Sequence, residues 1–181
     1  MTTHTHKDEN TSTKKQEKLY RQGVGIIIVK DDKVFVGDRI KKVTAIKNGK
    51  VDKANKNKGN MQIPQGGIDE GELISEALYR ELLEETGLKK DDVRVMESSS
   101  FKTKYDLPAE MIPESWGGKY AGQEHTWFKL ELISDESAIN LNSQPNPEFS
   151  SYMFIKPKEA IKLAFSFKKD IYKKVFKEFG L

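Results

Sequence analysis

Apolar residues gather in short runs separated by polar turns, a pattern typical of β-strands. The continuous run at residues 24–29 indicates a central strand, and residues 34–36 return after the turn at 31–32, which predicts a first hairpin. Further strands are predicted at residues 61–64, 93–101, 125–133 and 152–155. The stretch 106–123, which is rich in proline and glycine, is predicted to be irregular.

Two helical segments are predicted near the C-terminus. Pro157 begins the first, and Ser166 is placed to cap the second. The second carries apolar residues that recur at helical spacing and are expected to pack in the core: Ile171, Tyr172, Val175, Phe176 and Phe179. Strands before, between and after helices, without a repeating strand–helix–strand unit, favour the α/β class and a sandwich built on a mixed sheet.

A third helix is predicted between Gly71 and Gly87, which are suited to the break before it and the stop after it. At about 100° per residue, Glu81, Glu84 and Glu85 fall on one arc of this helix. The neighbouring arc is apolar and comprises Leu78, Tyr79, Leu82 and Leu83. One side of the helix is therefore expected to enter a core while the other presents three carboxylates.

Three carboxylates at this spacing repel one another by a few tenths of a kcal/mol per pair. A hard divalent cation would offset that cost, because Mg²⁺ prefers oxygen ligands and keeps water and substrate phosphates in its shell. The small Ala77, one turn earlier, would leave room above the cluster. The alternative is a solvated acidic helix face without a metal.

Composition narrows the classes of protein. A chain of 181 residues with 36% hydrophobic and 33% charged residues is typical of one soluble globular domain. No apolar run is long enough to span a bilayer, and the N-terminus lacks the apolar centre of a signal peptide. The absence of cysteine excludes disulfides and thiol chemistry and favours a reducing, cytoplasmic setting. No obligate protein partner is evident.

The net charge of +3 conceals a division along the chain. Residues 61–155 carry 18 acidic and eight basic side chains, whereas residues 41–60 contribute +6 and residues 156–181 contribute +5. A metal site would account for part of the acidic centre, and basic flanks would attract a polyanionic substrate. The alternative is that the lysines only solvate exposed faces.

Two segments stand apart from the predicted domain. Residues 1–18 are polar and expected to be disordered, and His4 and His6 within them are not expected to bind metal. Residues 19–181 are expected to form a single domain. Its lysine-rich insertion, 41–60, is either a flap that contacts a nucleic acid backbone or a tolerated surface insertion, and the second interpretation is favoured.

The acidic helix and the glycines before it resemble the signature of the Nudix hydrolases. Every specified position of that signature is filled: Gly66, Glu72, Arg80, Glu81, Leu82, Glu84, Glu85, Gly87 and Leu88. The resemblance implies a Nudix fold, an α/β/α sandwich around a mixed β-sheet. It also implies a metal-dependent hydrolase that acts on a nucleoside diphosphate linked to another group.

The same resemblance assigns roles to individual residues. Mg²⁺, with Mn²⁺ as a substitute, would be held by oxygen donors: Gln65 through a carbonyl, Glu81, Glu84, Glu85 and Glu148. Arg80 would pair with Glu72 and orient the helix. Metal ions would neutralise charge on phosphate oxygens and acidify a water, whose proton either Glu81 or Glu148 would accept.

Segments outside the helix are similar to the bacterial RNA pyrophosphohydrolases, a subfamily that overlaps with dinucleoside polyphosphate hydrolases. The similarity runs from Tyr20 onward and includes residues 62–68, 105–108, 147–149 and 166–170. It implies removal of phosphates from the 5′-triphosphate or diphosphate end of RNA, which leaves a monophosphate and promotes decay. The alternative is hydrolysis of dinucleoside tetra- or pentaphosphates.

The substrate-binding residues that this similarity implies are cations and aromatic rings: Arg21, Arg39, Tyr105, Phe167 and Lys168. The cations can contact phosphate or a base, and the rings can stack. Core packing is the alternative for the rings, and solvation is the alternative for the arginines.

The chain also departs from the subfamily pattern. Met61, Tyr152 and Phe154 stand where tryptophans are usual, although they keep apolar bulk. His125, near the expected site, is interpreted as a structural or exposed histidine. A further hypothesis, a Nudix-fold binding module without catalysis, is disfavoured because the carboxylates, including Glu148, are intact.

Overall fold

The computed structural model describes residues 18–40, 61–107, 109, 112 and 116–181. The predicted tail up to residue 17 and the insertion 41–60 therefore lie outside the described residues, as does part of the predicted irregular stretch. None of the helices within the described ranges is long and apolar enough to cross a membrane.

One mixed sheet organises the described part of the chain. Its strands are β1 (Tyr20–Lys30), β2 (Lys33–Arg39), β3 (Met61–Gln62), β4 (Gln65–Gly67), β5 (Val93–Ser98), β6 (Thr103–Asp106), β7 (Gly122–Leu132) and β8 (Phe149–Ile155). Their main order is β3-β2-β1-β7-β5, while β4 pairs with β1, β6 with β7 and β8 with β2. The long β1–β7 pairing is parallel, and the other named pairings are antiparallel.

Three α-helices cover this sheet: α1 (Ile74–Thr86), α2 (Pro157–Leu163) and α3 (Lys169–Glu178). Alternate residues of β1 pack in two separate hydrophobic cores, because successive side chains of a strand point to opposite faces of the sheet. Ile27 packs in a core with residues of α2 and α3, whereas Ile26 and Ile28 pack in a second core with residues of α1. The predicted Nudix fold, an α/β/α sandwich around a mixed sheet, is confirmed.

Several predicted elements are present. Val29 pairs with Val34 across the first hairpin, and the turn residues Asp31 and Asp32 have φ of 47° and 59°. These left-handed values suit a tight two-residue turn. Pro157 occupies the first turn of α2, and the predicted apolar stripe of α3 is buried.

Other predictions at element level were wrong. The predicted strands include neither β4, which the glycine segment after Pro64 forms, nor β6. Phe149 lies outside the predicted strand 152–155 but opens β8, where it is buried. Ser166 does not cap α3, because a 3₁₀ turn from Ser166 to Lys168 precedes that helix. These short strands form through pairing with β1 and β7, which local sequence does not reveal.

Candidate active site

Two glycines and an acidic side chain define the ends of α1. Gly71 has φ +79° in the turn before the helix, and the Glu76 carboxylate accepts a hydrogen bond from the backbone N–H of Leu73 at 2.9 Å. Gly87 ends the helix at φ 76°, and its N–H donates to the carbonyl of Leu83. The glycine positions predicted from sequence are confirmed, and they set which face of α1 meets the sheet.

Most of the acidic arc of α1 does not face solvent. Glu81 is 8% exposed and Glu85 is 2% exposed, whereas Glu84 is exposed. The backbone N–H of Gln65 in β4 donates to Glu85 Oε2 at 2.9 Å. A Cβ on Gly66 would lie 1.9 Å from the Glu81 carboxyl carbon, so only glycine lets β4 approach so closely. Two of the three carboxylates are therefore held between helix and sheet, in contrast to the expected separation of apolar and acidic faces.

Arg80 links these carboxylates to the loop before the helix. Its Nε and Nη2 donate to the two oxygens of Glu72 at 2.7 and 2.8 Å, which confirms the predicted pairing. Nη2 also donates to the carbonyl of Gly67 at 2.8 Å, and Nη1 donates to Glu81 Oε1 at 2.6 Å and to Glu84 Oε2 at 3.5 Å. The guanidinium therefore bridges the loop, β4 and the helix.

Burial and charge perturb the carboxylates in opposite directions. Hydrogen bonds from Arg80 lower the pKa of Glu72 to about 2. Burial raises the pKa of Glu81, and burial followed by the nearby charges of Glu148 and Glu81 raises the pKa of Glu85 well above its ordinary value. Ionising both buried carboxylates is therefore costly unless positive charge lies beside them.

A second group of side chains lies beside the carboxylates and is positively charged. Arg39, at the end of β2, forms an ion pair with Glu148 (Nη2 to Oε2, 3.3 Å) and donates from Nη1 to Gln62 Oε1 at 3.1 Å. Lys168, which is only 3% exposed, donates to the same Gln62 oxygen at 2.6 Å. Burial and then the charge of Arg39 lower the pKa of Lys168 to about 7, and the charges of Glu85 and Glu148 oppose that shift.

Tyr105 joins this group to the strand that carries Gln65. The amide of Gln65 donates to the Tyr105 hydroxyl at 3.2 Å, and that hydroxyl donates to Gln123. The ring centroid of Tyr105 lies 5.5 Å from that of Phe167, and the Lys168 ammonium lies 5.6 Å from the Tyr105 centroid. Phe167 and Tyr105 are both half-buried: part of each ring packs against the protein and part stays open to solvent.

Arg21 occupies a different part of the site. Its guanidinium lies against Gly67, where a Cβ would come within 2.1 Å of the guanidinium carbon, and it pairs with Asp69 at 3.1 Å. It is thus near the Arg80 bridge rather than beside Arg39. The sequence-predicted residues otherwise converge on one region formed by α1, β2, β4, β6 and the turn before α3.

A comparison with known protein families gives this arrangement a name. The NUDIX domain family matches residues 19–178. The chain belongs to the Nudix family. A protein named RNA pyrophosphohydrolase from Erythrobacter litoralis (strain HTCC2594) is 37% identical over 161 residues, which cover 88% of this Nudix chain and 90% of that protein.

Two further comparisons agree with this family. A protein of the same name from Wolbachia pipientis subsp. Culex pipiens (strain wPip) is 36% identical over 166 residues, covering 91% of this chain and 92% of the relative. Among solved structures, the dihydroneopterin triphosphate pyrophosphohydrolase of E. coli has a TM-score of 0.62 at 16% identity, over 91% of this Nudix chain and all of that chain. This structural likeness shows the fold.

The donor chemistry of this Nudix site fits a divalent cation, the cofactor that Nudix hydrolases generally use. Glu85 Oε1 is buried and has no hydrogen-bond partner, so it is available as a metal ligand. A bound cation would offset the cost of burying the negative charge of this carboxylate. Across the described ranges, however, no three acidic or histidine side chains are arranged to hold a metal ion. Arg80 uses one oxygen of Glu81 (Oε1) and one oxygen of Glu84 (Oε2), so metal ligation by these two carboxylates falls to the other oxygen of each.

Sequence reasoning assigned no catalytic or binding role to three polar side chains at the Nudix site. Gln62, Gln123 and His125 are all buried, and His125 is stacked on Tyr105. Burial lowers the pKa of His125 to about 3, so it is a neutral structural histidine, one of the two interpretations made from the sequence. The signal for Gln62 and Gln123 was weak, since an isolated glutamine in a short strand has no characteristic spacing.

Proposed function

We propose that this Nudix chain is a metal-dependent pyrophosphohydrolase that removes phosphates from the 5′-triphosphate or diphosphate end of RNA and leaves a 5′-monophosphate. The observation that carries the proposal is the proximity of a carboxylate cluster to two cations: Glu148 pairs with Arg39, and the buried Glu85 of α1 interacts with Glu148 and Lys168. Relatives bearing the name RNA pyrophosphohydrolase at 36–37% identity across nearly the whole chain support the same substrate.

The proposed metal ligands are the carboxylates of Glu81, Glu84, Glu85 and Glu148 and the backbone carbonyl of Gln65. Mg²⁺ suits this all-oxygen set, and Mn²⁺ is a substitute. When bound, the cation neutralises charge on phosphate oxygens and makes a water more acidic. Arg80 would keep α1 in place through Glu72 and Gly67 and would leave the second oxygen of Glu81 and of Glu84 for the cation.

Two carboxylates are candidates for accepting the proton of the attacking water. Glu81 is buried and contacts Arg80, whereas Glu148 is exposed and contacts Arg39. Either position supplies a base beside the same site. Replacement of each by glutamine, followed by comparison of the pH–rate profiles, separates the two assignments.

Substrate recognition is proposed for the cations and rings around the carboxylates. Arg39 would contact phosphate or a base, Phe167 would stack on a base, and Tyr105 would support that stack from behind. Lys168 would act at short range from a buried position. Arg21 would contact the substrate only by leaving Asp69.

The proposed domain comprises residues 19–181 after a polar tail, and the proposed setting is cytoplasmic. No obligate partner is required by this proposal, because every proposed site residue belongs to the chain itself.

The decisive experiment compares two substrates in one assay. Purified protein with Mg²⁺ is given 5′-triphosphorylated oligoribonucleotide or dinucleoside tetraphosphate, and kcat/KM is measured for each. The proposal expects 5′-monophosphate RNA and the higher kcat/KM on RNA. A higher value on dinucleoside tetraphosphate would favour the alternative substrate class, which the same phosphate-binding groups also suit.

Glu85→Gln is the matched control, because the amide keeps the size of the carboxylate and removes its charge. A folded Glu85→Gln protein should lose turnover on both substrates. Unchanged turnover in this variant would contradict the proposed ligand set, and unchanged turnover together with loss of a binding phenotype would favour a binding module.

A further inference from the structure

Gln62 has an unusual position between the two cations of the site. It lies on β3, is 1% exposed, and its side-chain oxygen accepts hydrogen bonds from Arg39 Nη1 at 3.1 Å and from Lys168 Nζ at 2.6 Å. An amide oxygen has two lone pairs, so these two donors use its full accepting capacity. One neutral side chain therefore holds the Arg39 guanidinium and the Lys168 Nζ at a fixed spacing.

The orientation of this amide follows from its partners. Because both donors are cationic, the oxygen must face them and the NH₂ group must face away. The Nε2 of Gln62 is indeed buried without a hydrogen-bond partner. A buried donor without a partner costs about 1–3 kcal/mol, so the contacts to the two cations must offset that cost.

No local sequence relation sets the spacing of the two cations. Arg39 ends β2, whereas Lys168 lies in the turn before α3. The positive charge of Arg39 disfavours a positive charge on Lys168, so the two side chains repel each other. Lys168 packs near Tyr105 and Phe167, but neither ring offers it a strong acceptor. The described contacts that link both cations directly pass through Gln62.

We propose that Gln62 is a positioning residue that holds Arg39 and Lys168 together for the anionic end of the substrate. Its Oε1 is used by the two donors and its Nε2 is buried, so Gln62 offers the substrate no polar atom. An amide is suited to this task because it accepts from both cations without cancelling their charge, whereas a carboxylate at the same position would neutralise one of them. The inference rests on the proposed role of Arg39 and Lys168 in substrate binding.

The test uses two substitutions that change Gln62 in different ways. Gln62→Leu removes the shared acceptor, and Gln62→Glu keeps the shape but adds a negative charge. Both are expected to raise KM about tenfold, the scale of one lost hydrogen bond to a charged group, while kcat stays within about twofold. In Gln62→Glu, NMR titration of the Lys168 ammonium should also show a higher pKa, because the added carboxylate favours the charged form.

A double variant that lacks both cations distinguishes an effect of Gln62 on the positions of the cations from a general effect of Gln62 on packing. In Arg39→Ala/Lys168→Met protein, adding Gln62→Leu should change KM by less than about twofold, because the substitution has no cations left to act through. Thr103→Val is the matched control: Thr103 is a buried polar residue of β6 that accepts from the Trp127 indole and contacts neither cation. Its KM should equal that of the wild type.

Two results would overturn the inference: an unchanged KM in Gln62→Leu, or the same rise in KM when Arg39 and Lys168 are absent. The kinetics are run on whichever pyrophosphate substrate the wild type hydrolyses faster. A wild type that prefers dinucleoside tetraphosphate would therefore contradict the RNA proposal and still permit the test of Gln62.

Discussion

At the scale of single residues, burial changes what a charged side chain does. Lys168 is part of the wall of the site rather than a mobile surface cation, and its charge is opposed by desolvation and by Arg39. Glu81 and Glu85 are similarly withdrawn from solvent. Burial disfavours the charged form of each of these side chains in the folded state. The same loss of solvent strengthens the attraction between opposite charges, so nearby positive and negative groups stabilise one another more than they would in water.

The depressed pKa of Lys168 makes stability depend on pH. Its folded pKa is about 7 and its ordinary value is 10.5, so between these values the unfolded chain binds the proton that the folded chain releases. The free energy of unfolding should therefore rise with pH in this window relative to Lys168→Met, by at most about 1.4 kcal/mol per pH unit. Denaturant unfolding of both proteins between pH 7 and 9.5 measures this difference.

Lys173→Met provides the control, because Lys173 is exposed and pairs only on the surface with Asp170. The pH dependence of its free energy of unfolding should equal that of the wild type between pH 7 and 9.5. If the Lys168→Met difference is also independent of pH, Lys168 titrates as an ordinary lysine.

At the scale of elements, the site depends on the close approach of β4 to α1. The glycines that the signature pattern placed before the helix form a strand paired with β1, and Gly66 leaves the space that the Glu81 carboxylate occupies. The pattern predicted α1 and its end at Gly87 because those depend on local spacing. It did not predict β4, because a three-residue strand containing two glycines forms only through its neighbours.

A pair of glycine substitutions tests this contact. Gly66→Ala would place a methyl group within 2.1 Å of the Glu81 carboxylate and displace it, so kcat should fall by about 100-fold, the effect of a 1 Å misplacement. Gly71→Ala meets no atom within 4 Å but has φ +79°, so it should cost about 1 kcal/mol of stability and leave kcat unchanged. Kinetics and thermal unfolding of both variants are the measurements; equal losses of kcat would contradict the contact.

At the scale of the whole molecule, the site is assembled from segments that are distant in sequence. The parallel pairing of β1 with β7 places Gly23 opposite His125, and β2 brings Arg39 to the start of β8. Lys168 of the basic segment 156–181 thereby comes near Glu85 and Glu148 of the acidic segment 61–155. The lysine-rich residues 41–60 follow Arg39 and Ile40 in sequence, and their role stays a prediction because they lie outside the described residues.

Deletion of residues 41–60 tests the nucleic acid interpretation of that insertion. If its lysines contact the RNA backbone, the deletion should raise Kd for RNA several-fold at low salt and less at high salt, because salt screens such contacts. Replacement of its seven lysines by glutamine keeps the length of the segment and should have the same effect. An RNA affinity that is unchanged at every ionic strength would identify a tolerated surface insertion.

Spacing between nearby residues was enough to predict the family, the acidic helix, the first hairpin and the apolar stripe of α3. The burial of Glu81 and Glu85, the contacts of Arg80 with Glu81 and Glu84, and the link through Gln62 between Arg39 and Lys168 emerge only in the folded chain. Burial and long-range hydrogen bonds depend on which segments the sheet brings together, and that information is not present in any single stretch of the chain.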